Sequence, residues 1–194
     1  MNTMSVFQGK RLMIFIVAYL VVYFFASWTD LTTTTLGLAK PGVSEKNVFA
    51  INSDGYSSQN AWLLTVVGAV ILTACVVESF RNSQRVEEHW LQYPVHSFGK
   101  LYLNPWSKEA LKYTPIHFLS LALAFPLYRI LAALNNLAVF WYGIAPLGGL
   151  MEIVAAKTSP LIGFSLIGFL FFGLITLVVA PFSARIIAIW KGTS

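Results

Sequence analysis

The residues of this chain with the clearest chemical potential follow its first apolar run, in the stretch FFASWTDLTTTTLGLAKPGVSEKN. Asp30, Thr33, Thr34 and Glu45 carry side-chain oxygens, and Asn47 adds an amide. Several converging oxygens are what a hard cation needs. The same groups have a structural use, because threonine hydroxyls bond back to helix carbonyls and a turn lets the Glu and Asn side chains cap backbone. We expect the structural role, with ion or substrate binding as the alternative.

A second polar group interrupts the third apolar run, FPLYRILAALNNLAVFWYG. Arg129 lies near the middle of the run, and Asn136 follows seven residues later on nearly the same helix face. A charge in mid-membrane needs an acceptor, and Asp30 is the preferred partner, with Thr hydroxyls or backbone carbonyls as alternatives. We expect Arg129 to form a lock between helices; snorkelling to the interface and a role in transport are the other readings. Asn135 and Asn136 are expected to form interhelical hydrogen bonds.

Patterns typical of catalysis are poor. His89, His96 and His117 do not have the spacing of a metal site. Ser165 in GFSLIG superficially resembles a Gly-x-Ser-x-Gly elbow, but it lies in an apolar run with no paired His. We therefore expect no catalytic residue, no metal site and no cofactor, and a protein that is not an enzyme.

The composition indicates an integral membrane protein. Hydrophobic residues make up 57% and charged residues 11% of the chain, and the mean hydropathy is +0.68. The net charge of +5 comes from basic residues scattered at the ends of apolar runs, so lipid headgroups rather than nucleic acid are the expected counter-charge. The lone cysteine, Cys75, excludes an internal disulfide.

Four apolar segments are long enough to cross a hydrocarbon core, which takes about 20 helical residues. Strands of a membrane barrel would be half as long and would alternate in polarity. We therefore predict an all-α, polytopic protein whose single membrane domain, 1–194, is a four-helix bundle. Its predicted spans are about 12–38, 61–80, 114–142 and 160–190.

The distribution of Lys and Arg predicts the orientation. Nine of these residues lie before the first span, between the second and third, or at the end of the fourth and after it, and three lie on the opposite side. By the positive-inside rule, both termini are cytoplasmic. The expected location is the inner membrane of a bacterium, with the stretch that contains Asp30 facing outward.

The predicted cytoplasmic loop, 81–113, is crowded with aromatic residues. Within it, NPWSKEALKY has Asn104 at a plausible N-cap and Pro105 in a first turn, which predicts a short amphipathic interfacial helix. Docking of a partner protein is the sharper hypothesis for this loop. Its candidate docking residues are Trp90, Tyr93, Tyr102 and Trp106.

The stretch that contains Asp30 also resembles a family. It is similar to an uncharacterised group of small four-helix bacterial membrane proteins, which have an Asp-x-x-Thr-Thr element at the end of the first span and then Gly-x-x-Glu-x-Asn. The group commonly has Pro after the Asn, where this chain has Val48. The resemblance implies a membrane bundle and no activity. The matching positions are Asp30, Thr33, Thr34, Gly42, Glu45 and Asn47.

These observations predict a non-enzymatic membrane subunit. We expect it to form a homo-oligomer, or to scaffold or anchor other protein subunits of a secretion, envelope or phage-defence assembly, and to relay a signal if the assembly needs one. The alternative is a small ion channel or transporter with Asp30, Arg129 and Asn136 along a polar path. The lipid bilayer is a partner in either case.

Overall fold

The structure, a computed structural model, describes residues 6–104, 107 and 109–192, and of residues 6, 7, 102 and 111 it describes the backbone alone. Helices dominate this part of the chain. They are α1 (Val6–Leu38), α2 (Ser58–Arg81), α3 (Glu88–Gln92), α4 (Pro94–Leu103), α5 (Ala110–Tyr142), α6 (Pro146–Ala155) and α7 (Pro160–Lys191). Two short strands, β1 (Ile51–Asn52) and β2 (Gly55–Tyr56), and the 3-10 turns Val48–Ala50 and Ser83–Arg85 complete the described elements.

The predicted all-helical class and its four long apolar helices are confirmed. Within the described residues, four helices are long and apolar enough to cross a membrane: Gln8–Leu38, Ser58–Arg81, Lys112–Tyr142 and Pro160–Lys191. Each agrees with a predicted span to within a few residues. The agreement follows from the length of the apolar runs, because a chain in hydrocarbon must satisfy its backbone hydrogen bonds within the helix.

The ends of these helices carry recognisable stop and start residues. Gly143 follows α5 with φ +69°, and its N–H bonds the carbonyl of Val139 at 3.0 Å. A residue with a Cβ is strained at this φ, so glycine ends the helix readily. Ser57 caps α2 by accepting a hydrogen bond from the N–H of Asn60 at 3.3 Å.

The connection between the second and third long helices differs from the prediction. Asn104 ends α4 instead of capping a new helix, and Ala110 already belongs to α5. Pro105 and the predicted docking residue Trp106 lie outside the described residues. The described part of this connection contains two helices, α3 and α4. The sequence predicted one short helix, at a later position.

The sequence prediction missed two elements, one in the connection between α1 and α2 and one in the connection between α5 and α7. Ile51 pairs with Tyr56, and Asn52 with Gly55, in an antiparallel hairpin. Ser53 and Asp54 form the turn, and Gly55 follows it with φ +107°, so Ser-Asp-Gly is a hairpin signal that the sequence prediction passed over. The second missed element is α6, whose first residue is Pro146, a residue favoured at a helix start.

The described chain forms two compact units. The first unit contains residues from 6–22, 69–125 and 174–192, and the second contains 23–68 and 126–173. In the first unit, Phe80 of α2 packs against Phe15 of α1 at 4.9 Å and against Trp190 of α7 at 4.4 Å, both between ring centroids. The hydroxyl of Ser79 donates to the carbonyl of Pro115 on α5 at 2.5 Å. Segments of all four long helices therefore meet in this unit.

The second unit is built on smaller contacts. Leu31, Ala50 and Ala61 form a buried cluster with Tyr56 against it. Tyr128 of α5 meets Phe172 of α7 edge to face, with ring centroids 6.0 Å apart. This unit holds the candidate polar residues that the sequence singled out in and after α1 and in the second half of α5: Asp30, Thr33, Thr34, Glu45, Asn47, Arg129, Asn135 and Asn136.

Candidate functional site

The side chains of α1 are arranged by the helix itself. Thr33 Oγ1 lies 2.9 Å from the carbonyl oxygens of both Thr29 and Asp30, and Thr35 Oγ1 lies 3.1 Å from that of Leu31. Threonine hydroxyls satisfied in this way let a polar run stay helical. They are consequently unable to offer a donor elsewhere, and Thr33 takes no part in the contacts described next.

Asp30 is the partner of Arg129 in the structure. Arg129 Nη1 donates to Asp30 Oδ2 at 2.6 Å, and Nη2 donates to Thr65 Oγ1 on α2 at 3.2 Å. Only 6% of Asp30 is exposed. A short, charge-assisted contact away from water couples the two side chains strongly.

Asn136 supplies the second hydrogen bond to this carboxylate. Its Nδ2 donates to Asp30 Oδ1 at 3.1 Å and to Thr34 Oγ1 at 2.9 Å. Arg129 and Asn136 reach the same carboxylate because they lie two turns apart on α5, and Asp30 and Thr34 lie one turn apart on α1. We call these four residues and Thr65 the polar cluster.

Thr65 was not predicted as a member of the cluster. Its hydroxyl bonds back to the carbonyl of Ala61 at 2.9 Å, and its own carbonyl accepts a hydrogen bond from the hydroxyl of Tyr23 at 2.8 Å. A Cβ on Gly68 would lie 2.6 Å from that hydroxyl oxygen, so a glycine is needed for Tyr23 to reach α2. A single Thr in an apolar run carries no signal of such a role.

The segment after α1 is pinned by its own side chains. Glu45 Oε1 accepts from the backbone N–H groups of Lys46 at 2.9 Å and Asn47 at 2.7 Å, and Asn47 Oδ1 accepts from Phe49 N–H at 3.1 Å. Gly42, with φ +79°, makes the turn before them. Glu45 and Asn47 thus cap backbone, as the structural hypothesis expected.

Burial raises the pKa of Glu45, and the two backbone N–H groups act against this rise. The charges of Asp30 and Arg129 also act on its pKa. Burial likewise raises the pKa of Tyr56, and the negative charges of Glu45 and Asp30 raise it further. The carboxyl of Glu45 is therefore electrostatically part of the surroundings of the polar cluster, although none of its hydrogen bonds joins that cluster.

Asn135 points to a different element from its neighbour. Its Oδ1 accepts a hydrogen bond from the backbone N–H of Leu147, in the first turn of α6, at 3.0 Å. Near the other end of α6, Glu152 pairs with Lys46 at 2.5 Å. This contact lowers the pKa of the Glu152 carboxyl. The predicted interhelical role of Asn135 is thus a contact with a helix that the sequence did not reveal.

The candidate docking loop divides into a packed side and an exposed side. Trp90 packs edge to face on Tyr113, with ring centroids 4.4 Å apart. Tyr93 is exposed and stacks on His96. Tyr102 lies on α4, but its side chain, like all of Trp106, is outside the described part. Only Tyr93 therefore offers an open aromatic surface among the predicted docking residues that the structure describes.

The imidazole of His117 packs inside the first unit. Its Nε2 lies 3.2 Å from the hydroxyl oxygen of Ser97, and its ring lies on Phe98 with centroids 3.8 Å apart. Ser97 also donates to the carbonyl of Pro94 at 2.5 Å. The Ser–His contact is buried in the packing that holds α4 in place. Across the described residues, no group of three or more His, Cys, Asp and Glu side chains is arranged to hold a metal ion.

Comparisons of the chain with protein-family models, curated proteins and solved structures found no match. The resemblance to small four-helix bacterial membrane proteins therefore stays a prediction.

Proposed function

We infer that this chain is a non-enzymatic subunit of a bacterial inner-membrane assembly, which oligomerises or scaffolds other subunits in secretion, envelope or phage-defence work. The observation that carries the inference is that the polar cluster is closed on itself. Both carboxylate oxygens of Asp30 accept hydrogen bonds from α5, and the residue is almost fully buried. Such a cluster joins helices to one another. We therefore look for the functional contacts on the surface of the protein.

The same closure argues against the alternative of an ion channel or transporter. A cation approaching Asp30 would meet the charge of Arg129, which already lies 2.6 Å from the carboxylate. Like charges at that range repel strongly where water is excluded. A transport role requires this pair to open, and a cation-dependent flux into vesicles that Asp30→Asn abolishes would favour it over a subunit.

A candidate surface for a protein partner lies on α4 and at the residue just before it. Ser97 and Phe98 are buried on one side of α4, while Val95 and Leu103 are exposed. We call these two residues and Tyr93, which is exposed just before α4, the α4 patch. Exposed apolar groups of this kind mark interaction sites in many proteins.

The distribution of Lys and Arg supports a cytoplasmic location for the α4 patch. On that side, the patch would be accessible to a soluble partner or to the cytoplasmic domain of another subunit. The proposed mechanism is therefore that the four long helices hold the chain in the membrane and α4 presents the docking surface.

The proposal is tested by isolating the chain in native nanodiscs and measuring the masses of the complexes. The variant Tyr93→Ala/Val95→Ala/Leu103→Ala removes the α4 patch. We expect it to reduce the fraction of chain in complexes at least about tenfold, as loss of a few central contacts does. The matched control is Leu166→Ala/Phe169→Ala/Leu170→Ala, which removes three exposed apolar side chains of α7.

A wild-type chain that is monomeric and free of other proteins in the nanodiscs would overturn the proposed function. Equal loss of complexes in both triple variants would show that the α4 patch is not the docking surface. The fraction of folded protein, measured by its circular dichroism, is compared for all three chains first.

A further inference from the structure

Helix α6 is docked into the second unit by one face. Gly148 and Met151 are buried, and a Cβ on Gly163 of α7 would lie 2.5 Å from the backbone oxygen of Met151. The backbone of α6 therefore touches α7 closely. Asn135 holds its first turn, as described above. The helix is thus a fixed part of the second unit.

The other face of α6 is apolar and exposed. Leu150 is 43% and Ile153 is 62% exposed, and the two lie three residues apart, on one side of the helix. The chain just before α6 is of the same kind, since Trp141, Tyr142 and Ile144 are all exposed. A face of this composition is costly in water.

The length of α6 excludes a membrane span. Ten helical residues extend about 15 Å, half the thickness of a hydrocarbon core. Its two ends nevertheless lie a few residues from α5 and α7, which are long and apolar enough to cross. The helix consequently starts and ends at the level where two spans leave the bilayer.

The flanking residues identify the surface that covers this face. Trp and Tyr, which end α5, concentrate at the headgroup level of a bilayer. Lys157 follows α6 within two residues of Ala155 and is exposed, as a cation near phosphate groups would be. In sequence, α6 also lies directly between α5 and α7, whose exposed sides are expected to face lipid.

We propose that α6 is an interfacial helix that lies in the lipid surface, with Leu150 and Ile153 inserted at the boundary between headgroups and acyl chains. Its occupant is the bilayer and not another protein. This membrane contact is a second one, separate from the four spans, and it is independent of which side of the membrane α6 occupies. The polar cluster is joined to it by the chain itself, because Asn135 holds α6 and the next residue, Asn136, holds Asp30.

The test measures the depth of spin labels in vesicles of phosphatidylethanolamine and phosphatidylglycerol. Starting from Cys75→Ser, single cysteines are placed in the full chain as Leu150→Cys or Ile153→Cys. Asp54→Cys in the exposed turn of the hairpin is the aqueous control, and Phe169→Cys, on the exposed side of α7, is the lipid control. We expect both α6 labels to collide with oxygen more often than with a water-soluble nickel complex, as the Phe169→Cys label does, and the Asp54→Cys label to show the reverse.

Two outcomes would overturn the proposal. Labels on α6 that collide with nickel as often as the Asp54→Cys label would place the face in water. Labels that collide with neither reagent would show that protein, such as a second copy of the chain, covers the face.

A second measurement uses the wild-type chain and needs no variant to fold. The vesicles contain a lipid with a photoreactive diazirine on its acyl chain, and cross-linked peptides are identified by mass spectrometry. We expect adducts on the peptide that contains α6 as well as on α7. Adducts on α7 without any on α6 would contradict the proposal.

Discussion

At the scale of single residues, the polar cluster follows from the cost of an uncompensated charge. Arg129 brings a cation among apolar helices, and Asp30 supplies the anion that makes it tolerable. Asn136 and Thr65 use the remaining hydrogen-bonding positions around the pair. The cluster therefore acts as one unit, and removing one member leaves its partner exposed to that cost.

Replacing one member of the ion pair should destabilise the protein more than replacing both. Arg129→Met leaves the Asp30 carboxylate buried without its cation, and we expect a loss of about 3 kcal/mol in unfolding free energy. The double variant Asp30→Leu/Arg129→Met should lose less than Arg129→Met alone.

Unfolding in mild detergent, followed by circular dichroism, measures both. The control, Lys46→Met, breaks the exposed pair with Glu152 and should change the midpoint little. A double variant that loses more stability than Arg129→Met alone would contradict the prediction.

Glu45 should make stability fall as the pH rises. Because burial raises its folded pKa above the ordinary 4.5, the stabilisation is complete below that value and is lost as the pH rises through the folded pKa. Wild type should therefore lose stability relative to Glu45→Gln as the pH rises above about 4.5 and through the raised folded pKa. Thermal unfolding of both chains across this range measures the difference. A constant difference would contradict the prediction.

Glu152 gives the opposite sign and serves as the internal contrast. The hydrogen bond from Lys46 lowers its folded pKa below 4.5, so the stabilisation is present above that value and is lost as the pH falls through the folded pKa. Relative to Glu152→Gln, wild type should lose stability on acidification. The same unfolding experiment applies. The effect is expected to be small, because the carboxylate is exposed.

At the scale of elements, close approach of helices depends on a few glycines. Gly68 admits the hydroxyl of Tyr23 to α2, and Gly163 admits the backbone of α6 to α7. Gly173 lies in the same kind of helix interior but has nothing within 4 Å of an added Cβ. Glycines that are alike in sequence thus have unlike roles.

Gly68→Ala should destabilise the chain, because its methyl group would lie 2.6 Å from the Tyr23 hydroxyl oxygen. Gly173→Ala is the matched control, and it should be neutral or stabilising by up to about 1 kcal/mol through helix propensity. The melting temperatures of both variants in detergent are compared with that of wild type. Tyr23→Phe/Gly68→Ala removes the crowding oxygen and should recover part of the loss. A Gly68→Ala variant as stable as Gly173→Ala would contradict the contact.

At the scale of the whole molecule, four long apolar helices among the described residues match a multi-pass membrane protein. Four crossings would place both ends of the helical array on one side. The excess of Lys and Arg on that side predicts, by the positive-inside rule, that it is the cytoplasm. The orientation is a prediction with a direct test.

Single cysteines in a Cys75→Ser chain report the orientation. We expect a membrane-impermeant maleimide to label Asp54→Cys and Lys157→Cys from outside spheroplasts, and to label Gln84→Cys only after lysis. All three positions are exposed in the structure, so access depends on the side of the membrane. Labelling of Gln84→Cys before lysis would reverse the predicted orientation.

From the sequence we predicted the membrane class and the four long helices, and we preferred Asp30 over Thr hydroxyls and backbone carbonyls as the partner of Arg129. These features depend on the length of apolar runs and on the cost of a lone charge, both of which are legible in a single chain. The hairpin turn was legible too, in Asp54–Gly55, but was missed. The prediction that Asn104 caps the start of a helix was wrong. In the structure α4 extends to Leu103, so Asn104 lies at the end of that helix.

Which oxygens accept hydrogen bonds, and from which groups, follows from the three-dimensional packing of the helices. In the structure, Thr65 bonds to Arg129, and Asn135 accepts a hydrogen bond from the backbone of α6. The hydroxyl of Thr33 bonds to a carbonyl of its own helix. Those outcomes depend on the direction in which each side chain leaves its helix and on how closely neighbouring backbones approach. Such directions are set by packing across the second unit, which no local pattern of residue types contains.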